Sequence, residues 1–427
     1  MISNKLVALD LGSSHISAMA GEVLENGALR ILSEESKPSD DVKWGIVEKP
    51  SGASFKISEL IRLLRNSSKL PEISQVSVPL NAKSMKSVSI SVSRFVNKPN
   101  IITDELLAEM LEESEKKTQQ PNSKIYDSLP VSYFLDGKRM DEPSGKKAHQ
   151  ITANYQLIIG GTIIESELER CFDRTGIMME FNPLTIEALS TVLLEEMERE
   201  KGCALINLGA TTSTLAIYFE GIIQQFLVVP LGAQNITRDI QELGIAETHA
   251  ERLKRLKGSA MEKLVNEPIY IQIPSVDDPV NPVKISTKFL ATIIEARLEE
   301  MLQPIFDIIS GLDFSLEGGI VLCGGGSKLN GIVDLIIEKT NIYTRIGNHS
   351  EWLSEDTPDK FNDILYAPLI GTILLTHEFR KEHQGEPEKK PKIPKKKPWE
   401  RIADGFINFF GDDNKMNEEH EKKEKTI

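Results

Sequence analysis

Residues 7–32, VALDLGSSHISAMAGEVLENGALRIL, read as a near-continuous apolar strand, a turn of glycine and serines, a second strand, a short turn and a third strand. Residues 203–229 repeat the pattern, with Asp10-Leu11-Gly12-Ser13-Ser14 matching Asn207-Leu208-Gly209-Ala210-Thr211. The first strand of each copy is apolar at successive positions, as a central strand covered on both faces would be. The copies lie about 197 residues apart, too long a period for a solenoid, so they read as a duplicated domain. A third signal follows at 318–340, GGIVLCGGGSKLNGIVDLIIEKT, where an apolar strand Ile320–Cys323 ends in Gly324-Gly325-Gly326. A helix is expected to begin there near Ser327 or Lys328.

Between and after these signals the patterning changes. Residues 81–159 combine the alternating run SVSISVS with the charged amphipathic stretch TDELLAEMLEESEKK, for which Thr103 is the expected N-cap. The pattern predicts a small α+β module. Residues 285–309 repeat Phe289, Ile293, Ile294, Leu298 and Met301 at helical spacing, which predicts a long helix with these residues in the core and Arg297 on its polar side. After Phe379, KEHQGEPEKKPKIPKKKP is rich in lysine and proline and reads as a disordered linker. In the following WERIADGFINFFGDD, Trp399, Ile402, Ala403, Phe406, Ile407, Phe409 and Phe410 recur at steps of three and four. A core helix would share that period. A helix rich in Phe and Trp, beyond a linker and away from any neighbouring core, fits the bilayer interface better. Lys389, Lys390, Lys392, Lys395, Lys396 and Lys397 just upstream would add attraction to anionic lipid, about 1 kcal/mol each near the surface.

Composition narrows the class. The 427 residues suffice for two or more domains, and 40% hydrophobic with 27% charged residues is ordinary for a globular protein. A net charge of −14 argues against a nucleic-acid partner. Cys171, Cys203 and Cys323 lie far apart with no C-x-x-C, and the seven histidines form no H-x-x-x-H pair, so neither a disulfide framework nor a metal site is expected. The first apolar run is too short for a signal peptide, and no run of 18 apolar residues occurs, so a cytoplasmic body is expected.

The candidate chemistry lies in the glycine turns. Turns free of bulky side chains expose backbone N–H groups that can cradle phosphate, and the serine and threonine hydroxyls add donors. Either hairpin alone is equally an ordinary β-meander; two matched ones favour facing phosphate loops. The triple glycine is neither a Walker A loop nor a Rossmann fingerprint. It admits a flat ligand against the backbone, or is simply a tight strand–helix turn.

Two glycine-turn hairpins followed by strand-GGG-helix resemble the actin, Hsp70 and sugar-kinase superfamily, and within it the FtsA family of bacterial cell-division proteins. ALDLGSSHISAMAGEV resembles the family's first phosphate motif. SKIYDSLPVSYFLDG and EPSGKKAHQITANYQLIIGG resemble its inserted subdomain. VVPLGAQNITRDI and AERLKRLKGSA resemble the opening of its second lobe, and GGIVLCGGGSKLNGIVDL its adenosine motif. The resemblance spans roughly residues 5–380 and returns in the C-terminal amphipathic segment.

The resemblance implies an actin-like, two-lobed α/β fold. Lobe one would comprise 1–80, 160–200 and 357–380, with the inserted subdomain at 81–159. Lobe two would comprise 201–234 and 310–356, with a further subdomain at 235–309. A linker (381–397), a membrane-binding amphipathic helix (398–411) and a polar tail (412–427) would follow. ATP would sit between the lobes, with Asp10, Gly12, Ser13, Ser14 and His15 on one side and Asn207, Gly209, Ala210, Thr211 and Thr212 on the other. Gly232 would approach the sugar-phosphate. Glu251 and Lys254 would contact adenosine, or form a solvated ion pair. Gly324, Gly325, Gly326, Ser327 and Lys328 would flank the base. Arg297 would contact the C-terminal peptide of the tubulin-like protein FtsZ, or be a plain solvated arginine.

The resemblance further implies self-assembly into an actin-like filament, contacts with later division proteins through the insert, and a peripheral place on the cytoplasmic face of the inner membrane at the division site. Two departures bear on hydrolysis. The family's second motif usually reads Asp-x-Gly-Gly-Gly-Thr-x-Asp, and here Asn207 and Thr214 stand at the acid positions; His15 replaces a frequent lysine. Magnesium is held through oxygen ligands and hydrolysis needs a positioned water, so the magnesium site is expected to be weakened and ATPase activity weak or absent. An active ATPase or phosphotransferase, or a pilus-assembly adaptor of the same fold, are the rival readings. The C-terminal segment speaks against the last.

Overall fold

The computed structural model describes residues 5–70, 72–276 and 280–383. The expected linker is described only at 381–383, where Lys381 and Glu382 still belong to helix Ala367–Glu382; its remainder, the residues expected to bind membrane (Trp399, Ile402, Phe406, Ile407, Phe409 and Phe410) and the polar tail lie outside the described residues.

The duplication is visible strand by strand. In one five-stranded sheet the order is Met178–Phe181, Gln75–Ser77, Lys5–Leu11, His15–Val23, Leu29–Pro38. In a nine-stranded sheet, the same order is kept by its first five strands, Thr344–Ile346, Gly319–Cys323, Cys203–Leu208, Ser213–Phe219 and Ile222–Val229. Each has two parallel pairings on one side of its first strand and antiparallel pairings on the other. Register matches too: Asp10 faces Ser17 and Leu11 faces Ile16, as Asn207 faces Thr214 and Leu208 faces Ser213.

Strand Cys203–Leu208 shows why its sequence is apolar at every second position and between. Cys203 and Leu205 join the large core that also holds Leu9, Ala18 and Ile370, while Ala204, Ile206 and Leu208 join a second core with Leu290, Ile294 and Leu298. The sheet is covered on both faces, so period-two alternation disappears. Helix Ala367–Glu382 returns to the first sheet and meets helix Thr185–Leu193 closely: a Cβ on Gly371 would lie 1.9 Å from the Ala188 carbonyl oxygen.

Between Lys86 and Gly161 the chain combines strands with one helix. Strands Lys86–Ile101, Ser123–Leu135, Lys138–Met140 and Lys147–Gly161 carry helix Asp104–Thr118, whose N-cap is Thr103, its hydroxyl accepting from the Leu106 N–H at 3.3 Å. A third core of Val92, Met110, Ile151 and Tyr155 holds it together. The module's sheet continues that of the second hairpin, through Lys86 opposite Leu227 and a Ser87 hydroxyl that accepts from the Phe226 N–H at 2.8 Å.

Two expectations are corrected. The element after the triple glycine is a single 3-10 turn, Gly325–Lys328, and the helix starts only at Ile332, because Gly331 adopts φ +77° and breaks the run. In helix Thr287–Ser310, Ile294, Leu298 and Met301 are buried as expected, but Phe289 is 52% exposed. Its neighbours Leu290 and Ala291 are fully buried, so Phe289 lies just off the face that packs on the core.

Candidate functional site

The two glycine turns face one another. Ser13 Oγ and Thr211 Oγ1 are 2.7 Å apart, although 198 positions separate them in sequence. The second turn is closed by the Gly209 N–H donating to the Thr212 carbonyl at 2.9 Å. Its outer carbonyls, Gly209 and Ala210, receive the first N–H groups of helix Ala233–Gln241 at 2.9 and 2.8 Å. Gly232 precedes that helix, and a Cβ there would lie 2.5 Å from the Ala210 carbonyl and 2.6 Å from the Thr211 nitrogen. Only glycine lets the helix start approach the turn this closely.

What the turns leave open is a set of donors. Among the described residues, the peptide N–H groups of Ser13, Ser14, Ala210, Thr211 and Thr212 donate to no protein acceptor. Orphan backbone donors at a partly covered site are costly, and an anion satisfies several at once. With the hydroxyls of Ser13, Ser14, Thr211 and Thr212, this donor set fits phosphate oxygens.

Asp10 ends the first strand beside the turn, its Oδ2 3.8 Å from where a Gly12 Cβ would stand. Burial pushes its carboxyl up from 3.8 to about 6, and among the described residues no donor reaches it. His15 is exposed, with Nδ1 3.2 Å from Ser14 Oγ. The positions that replace the family's acids face inward. Thr214 is buried, and its hydroxyl accepts from Asn81 Nδ2 at 3.1 Å. Asn207 packs against the triple glycine, its Oδ1 2.3 Å from where a Gly324 Cβ would be. Gly324 has φ +79°, which admits that approach. Gly325 is exposed and open apart from Leu365, 3.6 Å from its virtual Cβ, a flat backbone face suited to a planar group. Among the described residues, no three His, Cys, Asp or Glu side chains gather in one place.

Several other singled-out residues serve the fold. Ser327 is buried and donates to the Gly324 carbonyl at 2.7 Å. Lys328 pairs with Asp363 at 2.5 Å. On helix Glu247–Lys257, the Lys254 ammonium is buried and donates to Glu251 at 2.6 Å, Thr237 at 2.8 Å and the Ala233 carbonyl at 2.9 Å. Burial lowers its pKa, against the pull of Glu251. The pair is therefore a tether between two helices rather than a solvated surface pair. Glu251 also lines a cavity of about 560 Å3 with Glu247, Thr248, Arg252, Arg255 and Leu256. Lys254 does not line it.

Arg297 grips Asp239 with two nitrogens, Nε at 2.5 Å and Nη2 at 2.7 Å, and Glu300 with Nη1 at 2.5 Å. It braces helix Thr287–Ser310 to helix Ala233–Gln241, so the reading of a plain solvated arginine does not hold. The residues that sequence reasoning missed are Trp44 and Asn81, which reach the second turn from distant loops, and Arg255. Only Arg255 had a signal, four positions after Glu251 on the same helix face.

The sequence model of the family described as Cell division protein FtsA matches residues 204–371. The cell division protein FtsA of Pseudomonas aeruginosa is 26% identical over 391 residues, covering 89% of this chain and 90% of that one. The chain is thus similar to FtsA proteins over most of its length. Among solved structures, the type IV pilus biogenesis complex PilM-PilN superposes with a TM-score of 0.62 at 16% identity, over 87% of this chain and 98% of that one. MreB5 of Spiroplasma citri bound to ADP superposes with 0.56 at 12% identity, over 90% and 99%. These likenesses establish an actin-like fold.

Proposed function

We propose that this FtsA-like protein binds ATP between the two glycine turns and uses it as a structural ligand or assembly switch. The observation that carries the reading is the set of five unengaged turn N–H groups, framed by four hydroxyls and contributed by two matched hairpins. Asp10, Gly12 and His15 would border the phosphates from the first turn and Gly209 from the second, with Gly232 behind them. The cavity along Glu251 and Arg255 and the open face of Gly325 would take the adenosine. That MreB5, of the same fold, was solved with ADP supports the ligand class.

Hydrolysis is weak or absent in this reading. Asn207 and Thr214 supply no carboxylate, and Asn81 already engages Thr214. Asp10 is then the one acidic ligand a magnesium ion would find at the turns.

The remaining elements fit a division scaffold. The lobes, insert and subdomain boundaries of the sequence reading describe its parts. The insert would contact neighbouring copies in an actin-like filament and later division proteins. The FtsZ C-terminal peptide would lie on the second-lobe subdomain, where Ile269, Tyr270 and Phe289 are exposed, Lys284 stands over the Tyr270 ring and Arg297 sits further along the helix. Residues 398–411 would hold the protein on the cytoplasmic face of the inner membrane; among the described residues, no helix is long and apolar enough to cross a membrane.

The test is ATP binding with and without magnesium, with released phosphate followed in the same sample. Binding with negligible release is expected. Absence of binding refutes the nucleotide reading, and steady turnover refutes the scaffold assignment of Asn207 and Thr214.

A further inference from the structure

Strands Val42–Lys43 and Ile46–Val47 form a small hairpin whose turn, Trp44-Gly45, is left-handed at both positions, with φ of 52° and 76°. A tryptophan there is a backbone outlier that surrounding structure must hold. Three contacts do so. The Trp44 N–H donates to Thr211 Oγ1 at 3.0 Å, the Lys83 N–H donates to the Trp44 carbonyl at 3.0 Å, and Gly45 lies so close to Asn81 that a Cβ would be 1.5 Å from its carbonyl oxygen. The Trp44 hairpin and the Asn81–Lys83 segment are thereby fixed to the second glycine turn.

The Trp44 ring carries two cations. Lys83 Nζ lies 3.7 Å and Lys43 Nζ 4.2 Å from its centroid. Among the described residues neither ammonium makes an ion pair. Holding two like charges on one ring is unfavourable without an anion, and each cation–π contact in a solvated place contributes only about 0.5–1 kcal/mol. The other lysines near the candidate ligand are engaged: Lys254 with Glu251 and Thr237, Lys328 with Asp363. The turns themselves contribute no lysine or arginine.

We propose that Lys43 and Lys83, positioned by Trp44, form the cationic rim of the phosphate site and take the outer phosphates of a nucleoside di- or triphosphate. This rests on the nucleotide reading above and adds a specificity to it: affinity grows with the number of phosphates because two ammonium groups without an ion pair are held on the ring of the residue whose N–H bonds Thr211. Trp44 is a positioning residue, since its ring holds both side chains while its N–H tracks Thr211.

The test is calorimetric titration of the full chain with ATP, ADP and adenosine. Wild type should bind ATP more tightly than ADP, and ADP more tightly than adenosine. The double variant Lys43→Met, Lys83→Met should lose about tenfold or more in ATP affinity, as removal of two nearby unit charges dictates. Its adenosine affinity and urea midpoint should be unchanged. Lys83→Arg should retain most of the ATP affinity. Equal ATP affinity in wild type and double variant overturns the proposal while leaving the nucleotide reading intact. Binding of neither ATP nor adenosine by wild type overturns both.

Discussion

Replacing Asp10 by asparagine should make the protein more stable at neutral pH. The Asp10 carboxyl titrates near 3.8 in an unfolded chain and at about 6 in the folded one, because burial disfavours its charged form. Between those values the folded state holds a proton that the unfolded state has released. Stability is therefore greatest below about pH 4 and falls as the pH rises to about 6, beyond which the loss is complete. A difference of that size is worth about 3 kcal/mol, and about 2 kcal/mol after allowance for the partial exposure of the residue. Asparagine keeps the shape and carries no charge. Urea unfolding of both proteins from pH 4 to 8 should give coincident free energies at the acid end. They should diverge through pH 4–6 and run parallel above it, with the variant ahead by about 2 kcal/mol. Parallel curves across the whole range would refute the claim that Asp10 is destabilised by burial. The same variant should bind ATP with magnesium less well, since a bound cation is what would offset the buried charge. A residue that costs stability and is needed for a ligand has the signature of a functional site.

Further expectations follow from single contacts. Gly232→Ala should push the start of helix Ala233–Gln241 off the second turn and destabilise by about 1–3 kcal/mol, read as a lower urea midpoint; an unchanged midpoint would mean the turn can yield. Phe289→Ala should weaken FtsZ-peptide binding about tenfold with little change in stability, because the ring is half exposed. Arg297→Met, by contrast, should cost about 1 kcal/mol of stability through the lost Asp239 brace, so an affinity loss in that variant counts only with the unfolding curve beside it. Deleting residues 398–411 should release the protein from anionic liposomes in a sedimentation assay, and unchanged sedimentation would remove the membrane anchor from the proposal.

Much of the scaffold was legible because it is written locally. The two hairpins announce themselves through apolar strands and small-residue turns within 20 residues, and the structure reproduces even the register of one in the other. Thr103 was readable as an N-cap because capping depends on its immediate neighbours. What escaped is held by long-range contacts. Trp44 and Asn81 lie 167 and 133 positions from the threonines they engage. Nothing in the sequence around either suggests a site. Arg297 looked solvated because its partner Asp239 lies 58 positions earlier on another helix. Phe289 looked internal because the apolar stripe is wide, and the core takes up the face of Leu290, Ile294 and Leu298 one position round.

The replaced acids can now be weighed with their surroundings. A threonine where the motif that the hairpin resembles usually has aspartate could be read as simple loss of a ligand. Here Thr214 is buried and accepts from Asn81, which belongs to the loop joined to Trp44 through Gly45, and Trp44 in turn bonds Thr211. Thr214, Asn81, Gly45, Trp44 and Thr211 thus form one connected set of contacts linking a first-lobe loop to two points on the second-lobe hairpin. An aspartate at 214 would place a second buried charge on the opposite hairpin from Asp10, and its carboxylate would need Asn81 as its donor. With threonine, the same hydrogen bond is made without the charge, and this link is neutral. Removal of the carboxylate and retention of the inter-lobe bond are compatible with a protein whose ligand fixes the relation of its lobes, and they disfavour one that must reposition water and metal in each cycle.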